Sequence, residues 1–309
     1  MIIDVHMHLG DFLHTNGAEI IGKNIPFPTK FNIQKFEEDI LKFNSFLWTK
    51  ILFSRFDDAY TLSVQNRIKA ATYANLLAYY SVLERWSYEL FCDKTVISFC
   101  MPISPYVNIE DIQKWESREK RLLSFTSIDP TLSINDACKQ IQRQMDECHG
   151  LKLHPIIQGI PFDSELNFAI LDIFKLSNKP ILFHAGGSRY YLGKEKQFQH
   201  CELDDINAAK RMVSKYPTIP FIIGHAGLSE YKEWYLAMYE YENVFFDITV
   251  QSINNIRYLI SKYGENRVLF ATDWPCVNPT TTLKIVSKAL NYSQLEKCMY
   301  KNAIDLFCI

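Results

Sequence analysis

Pro180-Ile181-Leu182-Phe183-His184 and Pro220-Phe221-Ile222-Ile223-Gly224-His225 are short apolar runs that each begin after a proline and end in a histidine. A run of this length, opened by a helix breaker, reads as a buried β-strand, and its last residue stands at the carboxyl end of that strand. The layout recurs at both ends of the chain. Ile2-Ile3-Asp4-Val5 leads to His6 and His8, and Arg267-Val268-Leu269-Phe270-Ala271-Thr272 leads to Asp273. Four further β-rich runs, Thr95 to Met101, Leu122 to Ser127, Gly150 to His154 and Asn243 to Ile248, bring the count to eight strands. Amphipathic stretches lie between them, among them Ser133 to Cys148, Ser164 to Leu176, Asp204 to Lys215, Ser229 to Tyr239 and Ile253 to Tyr263, with Ser or Asp at several starts. Alternating strands and helices make a parallel sheet, and eight of them point to a closed (β/α)₈ TIM barrel.

The 309 residues fit one elaborated barrel domain spanning 1–309. The exception to the alternation is the segment 11–94, far too long for one crossover. It reads as a helical insertion or cap after the first strand, with a Pro26/Pro28 loop and helices near Ile33 to Phe43 and Val64 to Phe91. Its aromatic residues either pack the insertion itself, roof the barrel mouth, or meet a second copy in a homodimer.

Apolar residues make up 48% and charged residues 22% of the chain, which supplies a large core and excludes a disordered or fibrous protein. A formal net charge of -2 without a long basic run leaves no footprint for nucleic acid or an anionic membrane, so a small-molecule partner is expected. No stretch has the length of a membrane span. The first strand has no charged leader before it, and the eight cysteines are scattered without paired short spacings. A reduced, cytoplasmic protein is the expectation.

If the strands run consecutively around a barrel, their carboxyl ends share one rim, and His6, His8, His184, His225 and Asp273 converge there. In an extended strand His6 and His8 lie on one face and can grip a single ion. Nitrogen and carboxylate ligands without sulfur suit Zn²⁺ first, with Mn²⁺, Fe²⁺ and Co²⁺ as alternatives. Such an ion lowers the pKa of water to roughly 7. Asp273 is then placed to move a proton between water and leaving group, and His225 to orient water or steady a developing oxyanion. Lys152 and His154 share a face of their strand, so both can enter the site. Arg189, on the loop after His184, either clamps a substrate carboxylate or phosphate or faces solvent.

Ile3-Asp4-Val5-His6-Met7-His8, Gly150-Leu151-Lys152-Leu153-His154-Pro155, Leu182-Phe183-His184-Ala185-Gly186, Ile223-Gly224-His225-Ala226-Gly227 and Leu269-Phe270-Ala271-Thr272-Asp273-Trp274-Pro275 together resemble the amidohydrolase superfamily. The resemblance is closer to its amidohydrolase-related branch of aromatic decarboxylases, lactonases and metal-dependent hydrolases. It implies that His6, His8, His184 and Asp273 ligate one metal. His225 would be the catalytic histidine or, with Lys152 and His154 as further candidates, part of a second-metal or substrate site. Lys152 matches the lysine that binuclear members carbamylate; the alternative is a plain ammonium that pairs with an anion. One ion is expected rather than two.

The expected activity is therefore metal-dependent hydrolysis of an amide, ester or lactone in a small organic compound. The alternative is metal-dependent, non-oxidative decarboxylation of an aromatic or unsaturated carboxylic acid. A non-catalytic binding module would lack a ligand or the acid/base aspartate, whereas every position here is filled.

Overall fold

Period-two alternation within each apolar run decides which side chains enter the barrel and which meet the surrounding helices. A computed structural model describes residues 1–13, 78, 81–89, 96–188, 190–191 and 197–309. Its strands are β1 (Ile2–Met7), β2 (Val96–Cys100), β3 (Leu122–Ser124, resuming after Phe125 as Thr126–Ser127), β4 (Leu151–Leu153), β5 (Ile181–Phe183), β6 (Phe221–Ile223), β7 (Val244–Asp247) and β8 (Val268–Leu269). Every neighbouring pair in this order is parallel. Phe125 joins the two parts of the sheet, its N–H donating to the Cys100 carbonyl at 3.0 Å while Thr126 donates to Gly150 at 2.9 Å. The circle closes between last and first strands: Val5 N–H donates to Phe270 at 3.0 Å and Asp273 N–H to His6 at 2.7 Å. This is the (β/α)₈ barrel expected from the sequence.

Register shows the alternation at work. Lys152 aligns with Leu182, and Leu182 with Ile222, so all three face the interior. Leu182 and Ile222 pack there with Ile3, Val5, Phe99, Met101, Phe125 and Leu269. Leu151, Ile181, Phe183 and Phe221 face outward, against helices. Among these are α1 (Leu83–Glu89), α2 (Ile109–Glu116), α3 (Ile134–Gln144), α4 (Glu165–Phe174), α5 (Ile206–Lys215), α6 (Tyr231–Met238), α7 (Ile253–Tyr263), α8 (Pro279–Ala289) and the C-terminal α9 (Asn302–Phe307). Side-chain oxygens of Ser133, Ser164 and Ser252 accept the N-cap hydrogen bonds of α3, α4 and α7. The α5 cap is Asp205 rather than Asp204. From α9, Phe307 stacks on Phe99 at 4.0 Å and plugs the floor of the barrel.

Strand β1 departs from regular alternation. Its register against β2 shifts between Asp4 and Met7, a bulge that puts one extra residue in β1. Asp4 consequently does not share the site with His6 and His8; its carboxylate accepts hydrogen bonds from the Thr272 hydroxyl at 2.6 Å and from the Thr272 and His6 backbone N–H groups at 3.0 and 3.2 Å. Most of the segment expected as an insertion lies outside the described residues. The part that is described, Phe12, Leu13, Ala78, Leu83 and Trp86, joins the core cluster around β1 and β8. No helix among the described residues is long and apolar enough to cross a membrane.

Candidate metal centre

The bulge aims His6 into the barrel mouth, and hydrogen bonds then fix which ring nitrogen points to the centre. His6 Nδ1–H donates to Asp247 Oδ2 at 2.8 Å, and His8 Nδ1–H donates to the Met101 carbonyl at 2.8 Å. Both tautomers follow from these acceptors, so each ring turns a bare Nε2 inward. The two Nε2 atoms lie 3.2 Å apart, and Asp273 Oδ1 is 3.7 Å from that of His6 and 3.5 Å from that of His8. Three acceptors this close, with no proton between the nitrogens, make a site that a shared cation would stabilise, although Lys152 Nζ lies 2.9 Å from His6 Nε2. A single point sits about 2 Å from all three, the length of a zinc–nitrogen or zinc–oxygen bond.

His184 and His225 complete the ring of imidazoles. Ring centroids are 4.9 Å apart for His6 and His225 and 5.0 Å for His184 and His225. His184 Nε2–H donates to the Gly186 carbonyl at 3.1 Å. The Nδ1 atoms of His184 and His225 are buried and have no hydrogen-bond partner among the described residues. Orphaned buried nitrogens are costly, and a metal or substrate contact satisfies them. Ligand atoms of His6, His225 and Asp273 all fall within 4.8 Å of one another. The donor set therefore fits a divalent cation.

Electrostatics agree. Burial holds His6, His8, His154 and His225 well below the usual imidazole range and His184 down to about 3, so all are neutral, the form that ligates. Lys152 reaches the same centre, its Nζ donating to His6 Nε2 at 2.9 Å. Burial pushes this amine down, while the charges of Asp273 and Asp247 pull it up. Burial pushes the Asp273 carboxyl up, and Lys152 holds it back.

Local backbone is strained where these side chains are presented. His225 and Asp273 have φ of 56° and 50°, a left-handed conformation that residues with a Cβ rarely adopt. Gly186 and Gly227 relieve the crowding around them. A Cβ on Gly186 would stand 2.5 Å from the Gly227 backbone, and one on Gly227 would stand 2.1 Å from the Trp234 ring.

His154 is engaged differently from the other histidines. Its Nδ1 accepts the Ile157 N–H at 3.4 Å, and Nε2 lies 3.2 Å from the Tyr190 hydroxyl. Its ring stacks on His184 at 4.2 Å with 9° between planes. Together with Tyr190 it forms one wall of a small pocket otherwise bounded by His8, Phe12, His184, His225, Asp273 and Cys276. Arg189 lies outside the described residues.

The residue that sequence reasoning passed over is Asp247. Besides holding the His6 ring, its Oδ1 accepts the backbone N–H groups of His225 at 2.9 Å and Thr249 at 3.0 Å. It ends β7 as His184 and His225 end or follow their strands, and that position was the available signal.

Comparison with known proteins bears on the whole chain. No curated relative matches it. Solved structures that align over nearly its full length include these three. An uncharacterized TIM-barrel protein from Bordetella bronchiseptica is 13% identical, with a TM-score of 0.64 over 99% of this chain and 98% of that one. A dihydroxybenzoic acid decarboxylase from Polaromonas, with bound manganese and the inhibitor 2-nitroresorcinol, is 14% identical, with a TM-score of 0.59 over 99% and 96%. A probable 2-pyrone-4,6-dicarboxylic acid hydrolase from Acinetobacter baumannii, with citric acid bound, is 11% identical, with a TM-score of 0.54 over 100% and 99%. Similarity at this level establishes the fold. The family model described as Amidohydrolase matches residues 110–309, a stretch that carries Lys152, His154, His184, His225, Asp247 and Asp273. With the model spanning most of the barrel, the chain belongs to the amidohydrolase family.

Proposed function

We propose that the protein is a metal-dependent hydrolase that cleaves an amide, ester or lactone bond of a small organic substrate. One observation carries the reading: His6 Nε2, His8 Nε2 and Asp273 Oδ1 lie 3.2, 3.5 and 3.7 Å from one another around a common point, beside an open pocket. His6, His8, His184 and Asp273 would hold one divalent ion there. Three imidazoles and a carboxylate suit Zn²⁺, and Mn²⁺, the ion in the Polaromonas decarboxylase, is the main alternative. The chemistry a bound cation supplies is Lewis acidity and a pKa for water lowered to about 7.

The chain's own residues handle the protons and the charge. Asp273, 16% exposed to the pocket, takes a proton from the attacking water on a carboxylate oxygen and returns it to the leaving group. His225 is neutral and offers a ring N–H to the oxygen on which negative charge develops. Lys152 either stays an ammonium beside His6 or, as a carbamate, becomes a ligand to a second ion. Elemental analysis giving one ion per chain supports the ammonium.

A second reading, decarboxylation of an aromatic acid, is favoured by the rings of Phe12 and Tyr190 on the pocket wall. One assay separates the two. Zinc- and manganese-loaded protein is offered aryl esters, lactones, N-acyl compounds and dihydroxybenzoates, and both acid release and carbon dioxide release are followed. Acid release without carbon dioxide supports hydrolysis. Carbon dioxide from the dihydroxybenzoates, with the other compounds untouched, overturns it.

A further inference from the structure

The helix α1 and the turn before it belong to the long segment between β1 and β2, yet they are fastened to two backbones that carry candidate ligands. Ser81 Oγ donates to the His8 carbonyl at 2.8 Å, and the Ser81 carbonyl accepts the Gly10 N–H at 2.9 Å. One turn on, Arg85 Nε donates to Glu89 Oε1 at 2.8 Å, and Arg85 Nη2 donates to the Pro275 carbonyl at 3.2 Å. The guanidinium lies over the Trp274 ring, 4.9 Å from its centroid, and Trp274 Nε1–H donates to Glu89 Oε2 at 2.8 Å. All of these side chains are buried, Arg85 at 2% and Glu89 at 6% exposure.

A buried ion pair is a poor source of stability, because removing both charges from water offsets most of their attraction. This pair is satisfied at both ends by the residues that follow Asp273, and Asp273 is held at φ 50°. Conformations of that kind persist only where surrounding contacts over-determine them. Apolar residues in place of Arg85 and Glu89 would fill the volume but would not fix the Trp274-Pro275 backbone in one place.

We infer that Ser81, Arg85 and Glu89 are positioning residues of the cation site. They set the distance between Asp273 Oδ1 and His8 Nε2 by clamping both backbones to α1, an inference that rests on the metal-centre reading above. The segment between the first two strands therefore serves the site through α1, by positioning its ligands.

Cobalt binding by the full-length protein tests this without a substrate. Co²⁺ is titrated into wild type, Arg85→Met/Glu89→Met, Ser81→Ala and a control, Leu171→Ala, whose side chain is buried on α4. The visible d–d spectrum, the apparent affinity and the metal-free melting temperature are recorded for each. The expected result is a changed spectrum and an affinity about tenfold weaker in the double variant, a smaller loss in Ser81→Ala, and a wild-type spectrum in Leu171→Ala despite its lower melting temperature. Wild-type spectra and affinities in both clamp variants overturn the inference. If the double variant fails to fold, Ser81→Ala decides alone. Should wild type itself bind no cobalt, the metal-centre reading fails, and the inference falls with it.

Discussion

Asp247 receives the Nδ1–H of His6 at 2.8 Å and so decides which nitrogen of that ring is offered to the centre. Its other oxygen holds the backbone of His225 at 2.9 Å. One carboxylate therefore sets two imidazoles that are 219 residues apart in sequence, since position 225 follows position 6 by that interval. An amide in its place would keep the shape and lose the charge, and loss of such an outer partner typically weakens metal affinity about 10- to 100-fold. Asp247→Asn should show that loss in a zinc titration while its far-ultraviolet circular dichroism stays that of wild type. Unchanged affinity would remove Asp247 from the site.

Under the proposed function Asp273 has two tasks, ligation through Oδ1, 3.7 Å from His6 Nε2, and proton transfer at the pocket wall. Positioned acid/base groups contribute about 10²- to 10⁴-fold to rate. Asp273→Asn should lower kcat by at least about a thousandfold in metal-loaded protein with its metal content checked. Near-normal kcat would exclude the proton-transfer role.

Tyr190 and His154 form one wall of the pocket, and His154 Nδ1 accepts the Ile157 N–H. Its proton is therefore on Nε2, donated to the Tyr190 oxygen, and the pair lies on the pocket wall where a substrate would bind. Tyr190→Phe should reduce kcat/KM about tenfold, the scale of one hydrogen bond, mainly through KM and with metal content unchanged. A variant with wild-type KM would make the pair purely structural.

Asp204 offers a test of pH dependence away from the ligands. Burial lifts its carboxyl up to about 7, with the charge of Glu230 adding to the effect and the Gly186 N–H opposing it. The unfolded chain releases the same proton near the ordinary value of 3.8. Between these values the folded state binds more protons, so the group's contribution to stability is complete below about pH 4 and is lost as the pH rises to about 7. Across that window wild type should lose melting temperature relative to Asp204→Asn, and above it the two should run parallel. Identical profiles from pH 4 to 7 would show that the carboxyl is not perturbed.

The barrel was legible because each apolar run is short, is opened or closed by a breaker, and ends in a residue whose chemistry stands out from it. Alternation alone carried Lys152 to the interior, where register aligns it with Leu182. Regular alternation would put Asp4 on the face of His6 and His8, and the bulge that prevents this leaves no mark in residue types, only in pairing. Asp247 was signalled only by its place at the end of β7, since its partner His6 is 241 residues away in the chain and nothing local links them. Arg85 and Glu89 have the i,i+4 spacing of an ordinary surface ion pair on a helix, and only tertiary contact shows them buried against Trp274. Arg189 and most of the segment 11–94 lie outside the described residues.

The abutting glycines at 186 and 227 leave the two loops no slack between them. Each follows a histidine by two residues, so neither imidazole can drift without dragging the other's main chain along. The pair must travel together or stay put. Substrate entry then has to be accommodated by the remaining walls, and the spacing of these two rings acts as a fixed gauge against which an incoming molecule is measured.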